Sequence, residues 1–253
     1  MKALFGAAVL AAVAGVASAD IAATAQLIKS IPADQASYGS RAVTPGATFS
    51  NVTNYSGSVY LNGGAALISG LLTTKYVSEE ITRTTALTPV TRFSFTVANL
   101  NSTPLTARPR VRFHDLNNAG GTNTGGYITG FSFNPITFPA NTVSVFFTNI
   151  TAITLPQSFS MGITFDNSGN LGNTAAQMNN LGVGIYNPPD VGSSPDLAFS
   201  TTAASVGNVN NAPGNTFNFG GNPVANFGWE IVPAPSSLAL VGIGGLLAGR
   251  RRR

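Results

Sequence analysis

The sequence predicts an all-β protein: an antiparallel β-sandwich of jelly-roll-like character, flanked by an N-terminal signal peptide and a C-terminal apolar helix. Three observations predict the sandwich. Apolar residues recur with period two in one short segment after another, the mark of half-buried strands. Charged residues make up 9% of the chain, against about 25% in an average globular protein, so Thr, Ser, Asn and Gly carry the polarity. The 28 Gly and 15 Pro are spread along all 253 residues, which suits many short strands joined by turns.

The strands follow from their alternation. In "RFSFTV", Phe93, Phe95 and Val97 share one face. In "RPRVRFHD", Val111 and Phe113 alternate with Arg110, Arg112 and His114, although Pro109 weakens the start of that strand. "TVSVFFT" groups Val143, Val145 and Phe147, and "FSMGITF" groups Phe159, Met161, Ile163 and Phe165. "FGWEI" groups Phe227, Trp229 and Ile231, which makes Trp229 a core residue. Turn clusters such as "DLNNAGGTNTGG", "FNPITFPAN", "DNSGN" and "YNPPDVGSSPD" separate them. Only "NTAAQMNNLG" suits a helical turn or two. The expectation is about ten to twelve strands in two packed sheets, with alternation running from about Val59 to Ile231.

Residues 1–19 read as a secretory signal peptide. Lys2 precedes the apolar stretch "ALFGAAVLAAVAGVA", and the small residues Ala17 and Ala19 stand where signal peptidase needs them, so Asp20 begins the mature chain. Residues 20–232 then form the ectodomain, one sizeable core without an internal linker. The chain has no cysteine, so that core must be stable without disulfides.

The charge balance belongs to the ends. Lys2 and Arg250–Arg253 supply five of the 13 Lys and Arg, which leaves eight cations against nine carboxylates in residues 20–232, a net charge of −1. Clustered cations on the folded part would be needed for nucleic acid, so nucleic acid is excluded as a partner.

Candidate chemistry is sparse. His114 is the single histidine. No G-x-S-x-G elbow accompanies it, and it reads as a polar residue on the exposed face of a strand. Glycoside hydrolysis needs two carboxylates across a cleft. Glu79 and Glu80 are adjacent and therefore point to opposite faces of a strand, while Glu230 lies in the last strand. No catalytic residues are assigned. Asp115 with Asn117, and Asp166 with Ser168 and Asn170, are short oxygen-rich runs that begin like calcium loops without completing the twelve-residue pattern. Calcium is thus the one candidate cofactor. Arg108, Arg110 and Arg112 share a face of one strand, where they suit contact with acidic polysaccharide or guard a sheet edge against pairing.

The C-terminus has three parts in order. Val232–Pro233–Ala234–Pro235 is followed by the 12-residue apolar run Leu238–Gly249 and by Arg250, Arg251, Arg252 and Arg253. As a helix the run is about 18 Å long, short of the bilayer's hydrocarbon core of about 30 Å. Its six Leu, Val and Ile residues contribute about −2 to −4 kcal/mol to insertion, marginal for a permanent anchor. The arginines stay cytoplasmic and stop transfer. Residues Pro233–Ser237 separate the last strand from the run, a reach of about 17 Å.

Motif, short span and basic end in residues 233–253, behind a signal peptide, resemble the C-terminal sorting signal called PEP-CTERM. Ala234 stands where that motif usually has Glu. The resemblance implies signal peptidase and an exosortase-type membrane protease as partners, transient membrane attachment through the C-terminal helix, and a bacterial envelope that makes exopolysaccharide. Two readings of function follow. One is an exported, non-enzymatic surface or matrix protein associated with exopolysaccharide. The other is an extracellular carbohydrate-active hydrolase of the β-sandwich class.

Overall fold

The computed structural model describes residues 20–234, apart from 37–40, 69, 86–87, 117–125, 169–171, 196, 203–212 and 220–225. Among the described residues the chain runs β1 (Ile21–Ala23), β2 (Gln26–Pro32), β3 (Phe49–Ser50), β4 (Tyr55–Leu61), β5 (Ala66–Ile68), β6 (Leu71–Thr73) and β7 (Val77–Thr82). The long strands β8 (Val90–Asn99) and β9 (Leu105–His114) follow, then β10 (Tyr127–Phe133), β11 (Ile136–Phe138), β12 (Thr142–Ile153) and β13 (Ser158–Asp166). Helix α1 (Ala175–Asn179) precedes β14 (Leu181–Tyr186), β15 (Ala198–Thr201), β16 (Gly214–Phe217), β17 (Asn226–Phe227) and β18 (Trp229–Pro233).

These strands form two packed sheets. One has ten strands in the order β1-β10-β9-β13-β7-β15-β16, with β11 beside β9, β6 beside β13 and β5 beside β6. The other has eight, ordered β17-β14-β8-β12-β2, with β18 between β8 and β3, and β4 beside β14. Every ladder is antiparallel except β1 on β10. The chain passes repeatedly from one sheet to the other, as at β8 to β9, β11 to β12, and β12 to β13.

The core is aromatic and spans both layers. Phe93 on β8 stands 5.2 Å from Phe131 on β10, and Phe95 lies 5.0 Å from Phe133, ring centre to ring centre. Val111, Phe113, Phe159, Met161, Ile163, Phe165, Phe227, Trp229 and Ile231 join the same cluster, on the faces their alternation assigns. Trp229 is fully buried. Burying a ring of this size contributes more than any aliphatic side chain, and the tilted and edge-to-face geometries add to it.

Three expectations are corrected. The described residues hold 18 strands rather than ten to twelve, because short strands escape period-two counting. β2 is an edge strand whose first four residues are all exposed, and β11 lies inside "FNPITFPAN", which reads as a turn but buries Phe138. Val143, Val145 and Phe147 do share a face, but it is the outer one. Phe146 pairs with Phe95 and points inward. Val143 packs in a second cluster with Ile31, Tyr55, Ala98 and Tyr186, while Phe147 lies under the Arg92 guanidinium, 4.1 Å from ring centre. Pro109 does not weaken β9. On one side of β9 it falls between the last β10 pair, Ser132 with Arg110, and the first β11 pair, Ile136 with Ala107. Its missing N–H therefore breaks no rung there.

Helix α1 falls where a helical turn is expected. Thr174 caps it: its Oγ1 accepts from the Gln177 N–H at 3.2 Å, and its own N–H donates to Gln177 Oε1 at 2.9 Å, a capping box.

Candidate functional site

Strand β9 places Arg108, Arg110, Arg112 and His114 on the outer face of the ten-stranded sheet, opposite Val111 and Phe113 in the core. The strand is internal, with β13 on one side and β10 and β11 on the other. Edge protection is therefore not what these charges do. Arg112 is buried and donates from Nε to Asp20 Oδ1 at 2.8 Å and from Nη2 to Oδ2 at 2.9 Å. Tyr127 adds its hydroxyl to Asp20 Oδ1 at 3.2 Å. Arg110 Nε lies 2.5 Å from Asp166 Oδ2, an ion pair without hydrogen-bond alignment. Arg108 makes no ion pair among the described residues.

His114 is buried, not exposed as its sequence setting suggests. The Tyr76 side chain folds over this face and brings its Oη to 3.1 Å from His114 Nδ1 and 3.3 Å from the Arg112 carbonyl. Burial pushes the Tyr76 hydroxyl above the usual tyrosine range. Two glycines make room. A Cβ on Gly162 would collide with the Val77 carbonyl and the Tyr76 ring, and one on Gly130 would stand 2.5 Å from Asp20 Oδ1.

Among the described residues, Glu79, Glu80 and Glu230 do not meet in a cleft. Glu79 points between the sheets, where it accepts from the Phe227 N–H and from Ser194 Oγ, each at 2.5 Å. Glu80 is half-buried on the opposite face, and desolvation raises its pKa. Glu230 is fully buried and accepts from Arg41 Nη2 at 2.6 Å, the Thr44 N–H at 3.0 Å, Thr44 Oγ1 at 2.9 Å, Ser94 Oγ at 3.1 Å and Ser50 Oγ at 3.3 Å. Sequence gives no sign of the Arg41 partnership, which spans 189 positions.

Of the calcium candidates, Asp166 faces Arg110 with one oxygen and accepts the Ser168 N–H at 2.9 Å with the other. Asp115 is half-buried and bonds Gly126 through its backbone N–H at 2.7 Å. Asn117 and Asn170 lie outside the described residues, which contain no group of three His, Asp or Glu side chains placed to hold a metal. A groove of about 640 Å³ runs between β1 and the end of β12, lined by Ile21, Thr24, Gln26, Phe131, Asn134 and Ile153 among others. None of its lining residues is titratable, so it offers no pair of catalytic carboxyl groups.

The last described strand is β18. Trp229–Pro233 pairs with β8 from Phe95 to Val90 on one side, and with β3 through Glu230–Ser50 and Ile231–Phe49 on the other. The Ala234 N–H then donates to the Pro89 carbonyl at 2.7 Å. Val232, Pro233 and Ala234 are half-buried. Arg83, itself buried, pins the segment they bond to: Nη1 donates to the Thr88 carbonyl at 3.1 Å and Nη2 to the Leu155 carbonyl at 2.5 Å. Burial lowers the Arg83 pKa. Pro233, counted from sequence as part of the tether, thus belongs to β18, and Ala234 is hydrogen-bonded to the fold. Pro235, Arg250–Arg253, the apolar run, Ala17 and Ala19 lie outside the described residues, within which no helix is long and apolar enough to cross a membrane.

The described residues define an all-β sandwich without cysteine, whose last described strand, β18, lies between β8 and β3. Comparison with family models, curated proteins and solved structures gives no match.

Proposed function

We propose that the protein is exported and non-enzymatic, and that residues 233–253 sort it to the cell surface or extracellular matrix through an exosortase-type membrane protease. The observation that carries this reading is the order of signal peptide, four-residue motif, short apolar span and arginines in the sequence. The last described strand, β18, overlaps that motif at Val232 and Pro233. The repeated crossing of the chain between sheets supports the jelly-roll-like description. Engagement of Glu79 and Glu230 by buried donors supports a non-enzymatic ectodomain over a hydrolase.

Acidic polysaccharide is the ligand class of this reading. Arg108 is its contact on β9, because Arg110 and Arg112 already hold Asp166 and Asp20. The intact mass of protein recovered from the native envelope or medium tests the sorting proposal. A chain lacking the apolar run and arginines is the expected result, and a chain that still carries Leu238–Arg253 ends it.

A further inference from the structure

We propose that the groove between β1 and the end of β12 binds an uncharged oligosaccharide, a ligand class distinct from the acidic polysaccharide assigned to Arg108. The groove follows from topology. β1 is the outermost strand on one side of the ten-stranded sheet, and β2 is the outermost strand of the eight-stranded sheet. The chain passes from one to the other through Thr24 and Ala25. The β2 ladder begins at Gln26 paired with Phe147, while β12 runs on to Ile153. Between Asn149 and Ile153 the register of β12 with β8 also shifts, from Arg92 to Val90. That stretch forms one wall and β1 the other, with about 640 Å³ between them. The volume suits a site that buries a small ligand.

The lining chooses the ligand. Gln26, Asn134 and Asn149 present carboxamides and Thr24 and Thr151 hydroxyls, all from exposed residues. Among the described residues none of these three carboxamides is hydrogen-bonded to protein. Elsewhere in the fold Asn51, Asn62, Asn99 and Asn101 donate Nδ2 to protein acceptors. A carboxamide offers a donor and an acceptor side by side, which matches sugar hydroxyls, each of them donor and acceptor at once. Ile21, Ile150 and Ile153 supply apolar surface between the polar groups, suited to the C–H faces of a sugar ring. No Asp, Glu, Lys, Arg or His lines the groove, so an ionised ligand would lose hydration there without meeting an opposite charge. An extended peptide is the poorer fit. It would add to the free edge of β1, which is three residues long.

The test titrates the full chain, in a detergent that contains no sugar, with linear hexasaccharides of amylose, laminarin, cellulose, mannan and chitin type. At least one is expected to bind, with a Kd that changes less than about twofold between low and high salt, because no ion pair is involved. Asn149→Ala and Asn134→Ala are each expected to weaken that binding about fivefold, the worth of one hydrogen bond. Both side chains are exposed, so neither change puts the fold at risk. Arg108→Ser is expected to leave the affinity unchanged, which separates this groove from the arginine face. Failure of every hexasaccharide to bind at about 10 mM overturns the proposal. So does binding that neither Asn variant weakens. A blocked hexapeptide of alternating Thr and Val that binds where no sugar does makes the groove a peptide site and also overturns it. The sorting and Arg108 proposals stand or fall separately.

Discussion

Asp20 grips Arg112 with both carboxylate oxygens, at 2.8 and 2.9 Å, across 92 positions of sequence. The pair fastens the first described residue to β9 in the interior of the ten-stranded sheet, and β1 then continues alongside β10 from Ile21 paired with Phe131. Both side chains are about nine-tenths buried. Their worth thus lies in pairing, since either charge left alone is costly.

Replacing Asp20 with Asn is therefore expected to destabilise the ectodomain by about 3 kcal/mol, with Arg112 left buried and unpaired. The double variant Asp20→Leu, Arg112→Met is expected to recover most of that loss. Urea unfolding of the three proteins checks this, and a double variant no better than the single one argues against the pairing.

Gly162→Ala is expected to cost about 1–3 kcal/mol, the usual penalty of overpacking. The new methyl meets the Val77 backbone carbonyl, which cannot swing aside, as well as the Tyr76 ring. Gly46→Ala is a poor control because Gly46 has a positive φ, so Ala176→Gly on exposed α1 serves to calibrate the thermal melts.

Glu80 gives the expected pH dependence. Desolvation raises its pKa above 4.5, so the folded state holds the proton to higher pH than the unfolded chain does. Stability falls as pH rises through the window above 4.5, and the deficit is full at neutral pH. Glu80→Gln is expected to be the more stable protein at pH 7, by less than about 1 kcal/mol because solvent screens a half-exposed group. The advantage should vanish below pH 4. A gap that widens on acidification contradicts this assignment.

The arginine face can be tested without disturbing its ion pairs. Arg108→Ser leaves Asp20 and Asp166 with their partners. Under the polysaccharide proposal, retention of residues 20–234 on an acidic polysaccharide matrix falls as salt rises, and Arg108→Ser weakens it further at low salt. Equal retention of both proteins removes Arg108 as a contact.

Much of this fold is legible in sequence wherever a strand is long and one face is dry. Phe93, Phe95, Val111, Phe113, Phe159 and Ile163 all sit in the core their alternation assigns. Period two reports only that neighbouring residues differ in surroundings. It does not say which face is the inner one, hence the outward Val143 and Phe147. Nor does it register two- and three-residue strands such as β3 and β17, whose pairing depends on what lies beside them. The polar side chains are harder still. His114 becomes buried because Tyr76 arrives from 38 positions away, and Arg41 finds Glu230 across nearly the whole ectodomain. Partnerships of that kind are made by topology, and no local pattern announces them.

The place of β18 also bears on the order of folding. A ribosome releases the chain from its N-terminus, so β8 and β3 emerge long before the strand that lies between them. Until Trp229–Pro233 arrives, the β3 side of β8 has open backbone groups and the core lacks its only tryptophan. Contacts this distant in sequence close slowly. The nascent protein must therefore wait with an unfilled slot in its eight-stranded sheet, a vulnerable interval for edge-to-edge association. Its length is set by the time needed to synthesise and deliver the final residues of the ectodomain.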